Sequence, residues 1–183
     1  MQYRALFLDR DGTINIEREF IRNPDEVELI PGAAEGLFLA MTNGFKLFVI
    51  SNQSGVARGL MTEDDVARVN QRLIDLLGSE GVKLDAVEFC GHHPSVTGRC
   101  ECRKPSRGMV DRVLKQFDID LARSFVIGDR VFDVDLAYNI GAKAIMVMTG
   151  YGVLEVNAVS ADRKPDHVAS DLLSAVQWIL EHE

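Results

Sequence analysis

The sequence predicts an α/β fold, wound on both faces of a mainly parallel, Rossmann-like sheet. Two observations predict it. Residues 5–8, 47–50, 125–127 and 144–148 are short, almost continuously apolar runs, as expected of strands buried on both faces. Between and after them, apolar residues recur at helical spacing, and alternating strand and helix patterns point to parallel strands joined by crossovers.

Taken in order, Ala5-Leu6-Phe7-Leu8 is the first strand, and it stops at Asp9-Arg10-Asp11-Gly12-Thr13. The second run leads into Ser51-Asn52-Gln53-Ser54-Gly55. Val66, Val69, Leu73, Leu76 and Leu77 then mark a helix that Thr62 is placed to cap. The stretch from Ser51 to Lys104 has room for that helix, one strand and a loop at 91–108. Val110, Val113, Leu114 and Phe117 carry a further helix. The third run ends in Gly128-Asp129-Arg130-Val131-Phe132-Asp133, and a second loop at 151–165 follows the fourth. Leu172, Leu173, Val176, Ile179 and Leu180 predict a last helix. No repeat, low-complexity tract or linker interrupts the 183 residues, so a single domain over 1–183 is expected.

Net charge is −8, which argues against a nucleic-acid partner held by phosphate neutralisation. It leaves room for a small phosphorylated substrate, because only the local field of a site must be positive. No apolar run approaches the ~20 residues that span a bilayer. The first residues lack the apolar core of a secretory signal. A cytoplasmic protein without a membrane partner is expected, and as a monomer.

Chemistry concentrates at the strand ends. Asp9 and Asp11 are two apart where the first strand stops, and carboxylates crowded so closely call for a hard divalent cation. Ser51, Arg103-Lys104-Pro105 and Asp129 follow. In a parallel sheet these ends open onto one edge. Together they suit phosphoryl transfer from a small ester. An anionic nucleophile meets an anionic phosphate, and unit charges ~4 Å apart repel by about 4 kcal/mol at an effective dielectric of ~20. A cation and a lysine offset that repulsion. Asp9 is the candidate nucleophile, Asp11 the general acid and base, Asp129 a further metal ligand, and Ser51 a donor to phosphate oxygens. Any one of these residues alone reads as turn chemistry or a solvated charge; their ordered recurrence carries the reading.

All three cysteines, Cys90, Cys100 and Cys102, lie in one stretch with His92. Thiolates plus imidazole suit a tetrahedral zinc ion (Zn2+) in a structural role, since four protein ligands leave no open position. An odd cysteine count and a cytoplasmic setting disfavour the rival disulfide. His93 is the alternative imidazole ligand.

The Asp9-Arg10-Asp11-Gly12-Thr13 motif, Ser51, Lys104 and Gly128-Asp129 with Asp133 resemble the four motifs of the haloacid dehalogenase superfamily of phosphatases. The resemblance runs to about Gly152. It implies an aspartyl-phosphate on Asp9, acid–base work by Asp11, and magnesium (Mg2+) bound by Asp9, the Asp11 backbone carbonyl and Asp129, with a more variable role for Asp133. The cysteine loop before Lys104 is similar to that of a smaller branch. That branch includes heptose bisphosphate 7-phosphatases and histidinol-phosphate phosphatases. Ser51 to Gly59 looks more like the heptose enzymes, although the His92-to-Cys100 spacing is shorter than in many of them and Gly91 stands where proline is frequent.

The resemblance therefore implies a phosphoric monoester hydrolase acting on D-glycero-D-manno-heptose 1,7-bisphosphate, on the route to nucleotide-activated heptose. Histidinol phosphate is the alternative substrate, and a silent zinc-stapled binding module is a further one. Neither gap between the motifs holds a sizeable cap, so a capless domain is expected. Specificity then falls to residues 14–24 and the zinc loop. Asn52, Gln53, Arg58, Arg103, Arg130 and Glu17 are the candidate substrate contacts, Arg58 for a second phosphate through its planar fork of donors, and Arg18 is placed beside Glu17.

Overall fold

The four apolar runs become neighbours in one six-stranded sheet. The structure, a computed structural model, describes residues 2–182. In chain order its elements are β1 (Arg4–Leu8), α1 (Ala33–Thr42), β2 (Phe45–Asn52), α2 (Glu63–Ser79), β3 (Ala86–Cys90), α3 (Pro94–Thr97), α4 (Gly108–Leu114), β4 (Phe125–Gly128), α5 (Val131–Ile140), β5 (Lys143–Val147), α6 (Gly152–Glu155), β6 (His167–Ala169) and α7 (Leu172–Glu181). The strand order is β3-β2-β1-β4-β5-β6, and every pair is parallel.

Strand alternation divides the core in two. Leu6 and Leu8 of β1 pack into one layer with α1, α2 and α7, while Ala5 and Phe7 face the other with α4 and α5. Each fully buried Leu or Phe in these layers contributes about 1.5–3 kcal/mol. Thr62 caps α2 as expected. Its hydroxyl accepts from the Asp65 N–H at 3.1 Å and the Asp65 carboxylate accepts from the Thr62 N–H at 2.7 Å.

Both predicted loops contain a short helix, α3 in the first and α6 in the second. The sequence reading contains neither the helices α1 and α5 nor the short strand β6; the buried residues of α1, Ala33, Gly36, Leu37 and Ala40, do recur at helical spacing, but apolar neighbours blur that period. From Asp9 to β2 the described residues hold α1 and one 3-10 turn; from Ser51 to Lys104 they hold α2, β3 and α3. No cap domain is inserted in either gap. Among the described residues no helix is long and apolar enough to cross a membrane.

The chain runs outward from β1 to β3 on one side and from β4 to β6 on the other. The direction of winding reverses between β1 and β4, and in open α/β sheets ligands bind at the carboxyl ends of such a pair.

Candidate active site

Asp9 leaves β1 with its N–H donating to the Ile127 carbonyl of β4 at 2.9 Å, which pins it beside the reversal point. Asp129 follows β4, and Asp133 lies in the first turn of α5. One oxygen from each of these three buried carboxylates lies within 4.8 Å of the others. Lys104 Nζ sits 2.8 Å from Asp9 Oδ1 and 2.7 Å from Asp133 Oδ1. Gly12 and Gly150, at φ +81° and +55°, flank Asp129, and a Cβ at either would strike its carboxylate. The Tyr151 N–H donates to Asp129 Oδ2 at 2.7 Å, while Oδ1 is buried without a partner.

Three carboxylates therefore share one ammonium. Burial, then the charges of Asp9 and Asp133, push Asp129 up to about 8. Burial and Asp9 push Asp133 up to about 7 against the pull of Lys104. Burial alone would lower Lys104, but Asp133 and Asp9 hold its pKa above the usual range. An all-oxygen donor set with surplus negative charge and one orphaned buried oxygen fits a hard divalent cation.

Asp11 turns away from this cluster. The buried Arg10 donates to it from Nη2 to Oδ2 at 2.8 Å and from Nε to Oδ1 at 3.1 Å. Asn15 Nδ2 donates to Oδ1 at 2.9 Å and Gln53 Nε2 to Oδ2 at 2.8 Å. Burial opposes ionisation here, yet Arg10 and these donors prevail and hold Asp11 below the usual carboxylate range. Arg10 is itself anchored by Nη1 to Asn70 Oδ1 on α2 at 2.8 Å.

Gln53 Nε2 also donates to Ser51 Oγ at 2.7 Å. That contact occupies a hydroxyl lone pair and leaves the Ser51 proton to be donated elsewhere. Asn52 closes on the backbone of Lys104, its Oδ1 accepting from the Lys104 N–H at 3.0 Å and its Nδ2 donating to the Lys104 carbonyl at 3.2 Å. The amides of Asn52 and Gln53, nominated for substrate, are thus engaged in holding Lys104, Ser51 and Asp11.

Beyond β3, the donor atoms of Cys90, His92, Cys100 and Cys102 lie within 4.8 Å of one another. His92 Nδ1 is 3.6 Å from Cys90 Sγ and 3.3 Å from Cys102 Sγ; Cys100 Sγ is 3.7 and 3.5 Å from the other two sulfurs. Tetrahedral thiolates at the usual ~2.3 Å metal–sulfur distance stand about 3.7 Å apart. Cys90 and Cys102 are closer, at 2.6 Å, and all three cysteines are free. Burial, then the Cys102 thiol, pushes the Cys90 thiol well up, so a cation is needed to make it a thiolate. This donor set fits zinc. His93 points elsewhere, with Nε2 2.9 Å from Arg58 Nη2.

Above the carboxylates lies a cleft of about 590 Å³. Glu17, Arg58, Arg103 and Arg130 all line it. Arg18 instead pairs with Glu28 at 2.8 Å on the surface. The Arg103 Nη1 donates to the His92 carbonyl at 3.2 Å. Arg130 stacks 4.3 Å from the Tyr151 ring centroid and pairs through Nε with Glu155 Oε1 at 2.6 Å. Burial and the Asp11 charge push Glu17 up to about 7. Sequence reasoning named neither Phe20 nor His93 as a cleft residue, although they lie in the 14–24 segment and the zinc loop to which it assigned specificity; it missed Phe132 in this lining, and Arg10 and Asn70 behind it. Arg10 offered a signal as a charged residue between two carboxylates.

A HAD-hydrolase-like family model matches residues 101–175. The chain is 40% identical over 189 residues to a D-glycero-D-manno-heptose-1,7-bisphosphate 7-phosphatase of Thermosynechococcus vestitus, covering 97% of this chain and 96% of that one. It is 37% identical over 165 residues to a D-glycero-beta-D-manno-heptose-1,7-bisphosphate 7-phosphatase of Yersinia pestis, covering 86% and 87%. Among solved structures it is similar to the D,D-heptose 1,7-bisphosphate phosphatase of B. bronchiseptica complexed with magnesium and phosphate. The TM-score is 0.87 at 28% identity, covering 98% and 99% of the two chains. A putative HAD-like phosphatase of Mesorhizobium loti gives a TM-score of 0.82 at 33% identity, covering 97% and 88%.

Proposed function

The chain belongs to the D-glycero-D-manno-heptose-1,7-bisphosphate 7-phosphatase family of HAD-like hydrolases, and from that premise we propose that it removes the 7-phosphate of that sugar through an aspartyl-phosphate on Asp9. One observation carries the mechanism: Asp9, Lys104, Asp129 and Asp133 meet at the floor of a cleft whose walls hold Asp11, Ser51 and three arginines.

Asp9, Asp129 and the Asp11 carbonyl, with Asp133 beside them, would hold magnesium, which would supply charge neutralisation at the phosphoryl group. Lys104 adds a fixed positive charge to Asp9 and to the phosphoryl oxygens. Ser51 donates its free proton to one of those oxygens. An Asp9 oxygen forms a bond to phosphorus as the bond from phosphorus to the C7 oxygen breaks, and Asp11 delivers a proton to that leaving oxygen. Asp11 then takes a proton from water, which attacks phosphorus and breaks the bond to Asp9. The free protein holds Asp11 ionised, as the second step requires. For the first step it must gain a proton, and an incoming dianionic phosphate favours that by raising its pKa.

Cys90, His92, Cys100 and Cys102 would hold a structural zinc. Arg58 and Arg103 grip the phosphate that stays on the sugar, while Glu17 and Arg130 meet its hydroxyls and charge. The chain works as a monomeric single domain over 1–183. Thiols kept reduced and a doubly phosphorylated sugar substrate support a cytoplasmic location.

The test is phosphate release with magnesium from heptose 1,7-bisphosphate, fructose 1,6-bisphosphate and histidinol phosphate. The heptose ester should lead in kcat/KM by at least about tenfold, or roughly 1.4 kcal/mol of transition-state binding. A lead for histidinol phosphate would overturn the substrate, and no turnover of any ester would overturn the enzyme.

A further inference from the structure

Arg58 is held from two sides. Its Nη2 lies 2.9 Å from His93 Nε2 in the zinc loop, and its guanidinium carbon lies 6.0 Å from the ring centroid of Phe20. All three residues line the cleft. The turn that carries Arg58 is docked on the zinc loop through its backbone, with Ala57 N–H donating to the Gly91 carbonyl at 3.0 Å and Gln53 N–H to the Cys90 carbonyl at 2.8 Å. A Cβ at Gly91 would press on Val56 at 3.1 Å, and one at Gly55 would strike Phe20 and Met61. Both glycines therefore let these segments close together.

The imidazole is itself aimed. His93 Nδ1 lies 2.7 Å from Ser95 Oγ, and the His93 N–H donates to Thr97 Oγ1 at 3.0 Å. A guanidinium only donates, so the ring nitrogen facing it must accept; this favours the tautomer with its proton on Nδ1 toward the Ser95 hydroxyl at 2.7 Å, against the longer 3.3 Å contact that the Ser95 backbone N–H makes to the same nitrogen.

We infer that His93, oriented by Ser95, is a positioning residue that fixes Arg58 against Phe20 across the cleft mouth, so that the zinc loop decides where the phosphate left on the sugar is gripped. This rests on the reading of Arg58 as that phosphate's contact. A long arginine otherwise loses conformational freedom when it binds, and a partner that immobilises it beforehand removes that loss.

Steady-state kinetics on heptose 1,7-bisphosphate and on heptose 7-phosphate, with zinc content measured alongside, test the inference. His93→Ala should raise KM for the bisphosphate about tenfold, the scale of one hydrogen bond to a charged group. It should leave kcat, the KM for the monophosphate and the zinc content near those of the unmodified protein. His93→Gln, which restores an acceptor, should recover most of the loss. In an Arg58→Ala background His93→Ala should add nothing. If His93→Ala loses zinc, Ser95→Ala takes its place and should give the same selective rise, smaller in size. An unchanged bisphosphate KM, an equal loss on both substrates, or additivity with Arg58→Ala overturns the inference. Should Arg58→Ala itself weaken both substrates equally, the reading of Arg58 falls first. A selective Arg58→Ala with a silent His93→Ala removes the inference alone.

Discussion

Lys104 Nζ rests 2.8 Å from Asp9 Oδ1, although 95 residues of chain separate the two. The same ammonium lies 2.7 Å from Asp133. Lys104→Met would leave two buried carboxylates facing each other without a counter-charge. Breaking a buried pair this way costs about 3–5 kcal/mol. Urea unfolding in EDTA should show a loss of that size, and kcat should fall by at least about a thousandfold. A stable variant with unchanged turnover would refute the role given to this lysine.

Asp9→Asn should abolish turnover, by at least about 10⁴-fold, while the fold persists. Removing one of three crowded negative charges should also make the metal-free protein no less stable. Trapping of labelled phosphate on the protein after acid quench should succeed with the unmodified chain and fail with this variant.

Gln53 ties Asp11 to Ser51 through one amide nitrogen. Gln53→Ala should lower kcat by about tenfold to a hundredfold while KM changes little, because it loosens both reacting groups without touching the sugar. Gln53→Glu should do something different. A second carboxylate beside Asp11 raises the Asp11 pKa, so the acidic limb of the pH profile of kcat should move to higher pH.

Metal-free stability should depend on pH with a definite sign. Asp129 and Asp133 are pushed up to about 8 and about 7 in the folded chain, against ~3.9 in the unfolded one. Across that interval the folded state binds more protons than the unfolded state. The contribution of the pair is therefore fully present below about pH 4 and is lost as pH rises through 7 and 8. In EDTA, the gap in Tm between the unmodified chain and Asp129→Asn should shift against the unmodified chain from pH 5 to pH 8.5. Added magnesium should raise Tm more at pH 8.5 than at pH 6. A gap that does not move with pH would refute the coupling of these carboxylates.

Cys102→Ser should release zinc and lower thermal stability, since a structural zinc site contributes folding energy directly. Magnesium affinity should change far less, because no zinc donor belongs to the carboxylate cluster. Unchanged zinc content and Tm would remove the metal from this loop.

The inner strands were legible because burial on both faces leaves an uninterrupted apolar run, and a parallel sheet puts all their chemical ends on one edge. Asp9, Ser51 and Asp129 follow from that rule, whereas Lys104, 14 residues beyond the end of β3, was legible only through its place in the motif resemblance. The helices α1 and α5 were not legible. Buried Ala33, Gly36, Leu37 and Ala40 in α1 are joined by half-buried Leu39 and Met41, so no clean polar face sets a period. The strand β6 has three residues, too few to show a pattern. Within the site, the wholly buried Arg10 reads in sequence as a spacer between two acids. Its task depends on Asn70, far away on α2. The choice of His92 over His93, by contrast, was legible in the alternating Cys-x-His…Cys-x-Cys pattern, and it is the His92 ring that faces the thiols.

The zinc loop has one slack stretch and one taut one. Residues 94–99, which include α3, stand in solvent between His92 and Cys100. Cys102 and the buried Lys104 are separated by Arg103 alone. Changes of length can therefore enter the first stretch beyond Thr97, where they spare the Ser95 and Thr97 contacts to His93, and reshape the rim, while the second admits none without withdrawing the ammonium from Asp9. A library of loop lengths grafted between Thr97 and Cys100 is the natural route to retargeting this scaffold to other sugar esters.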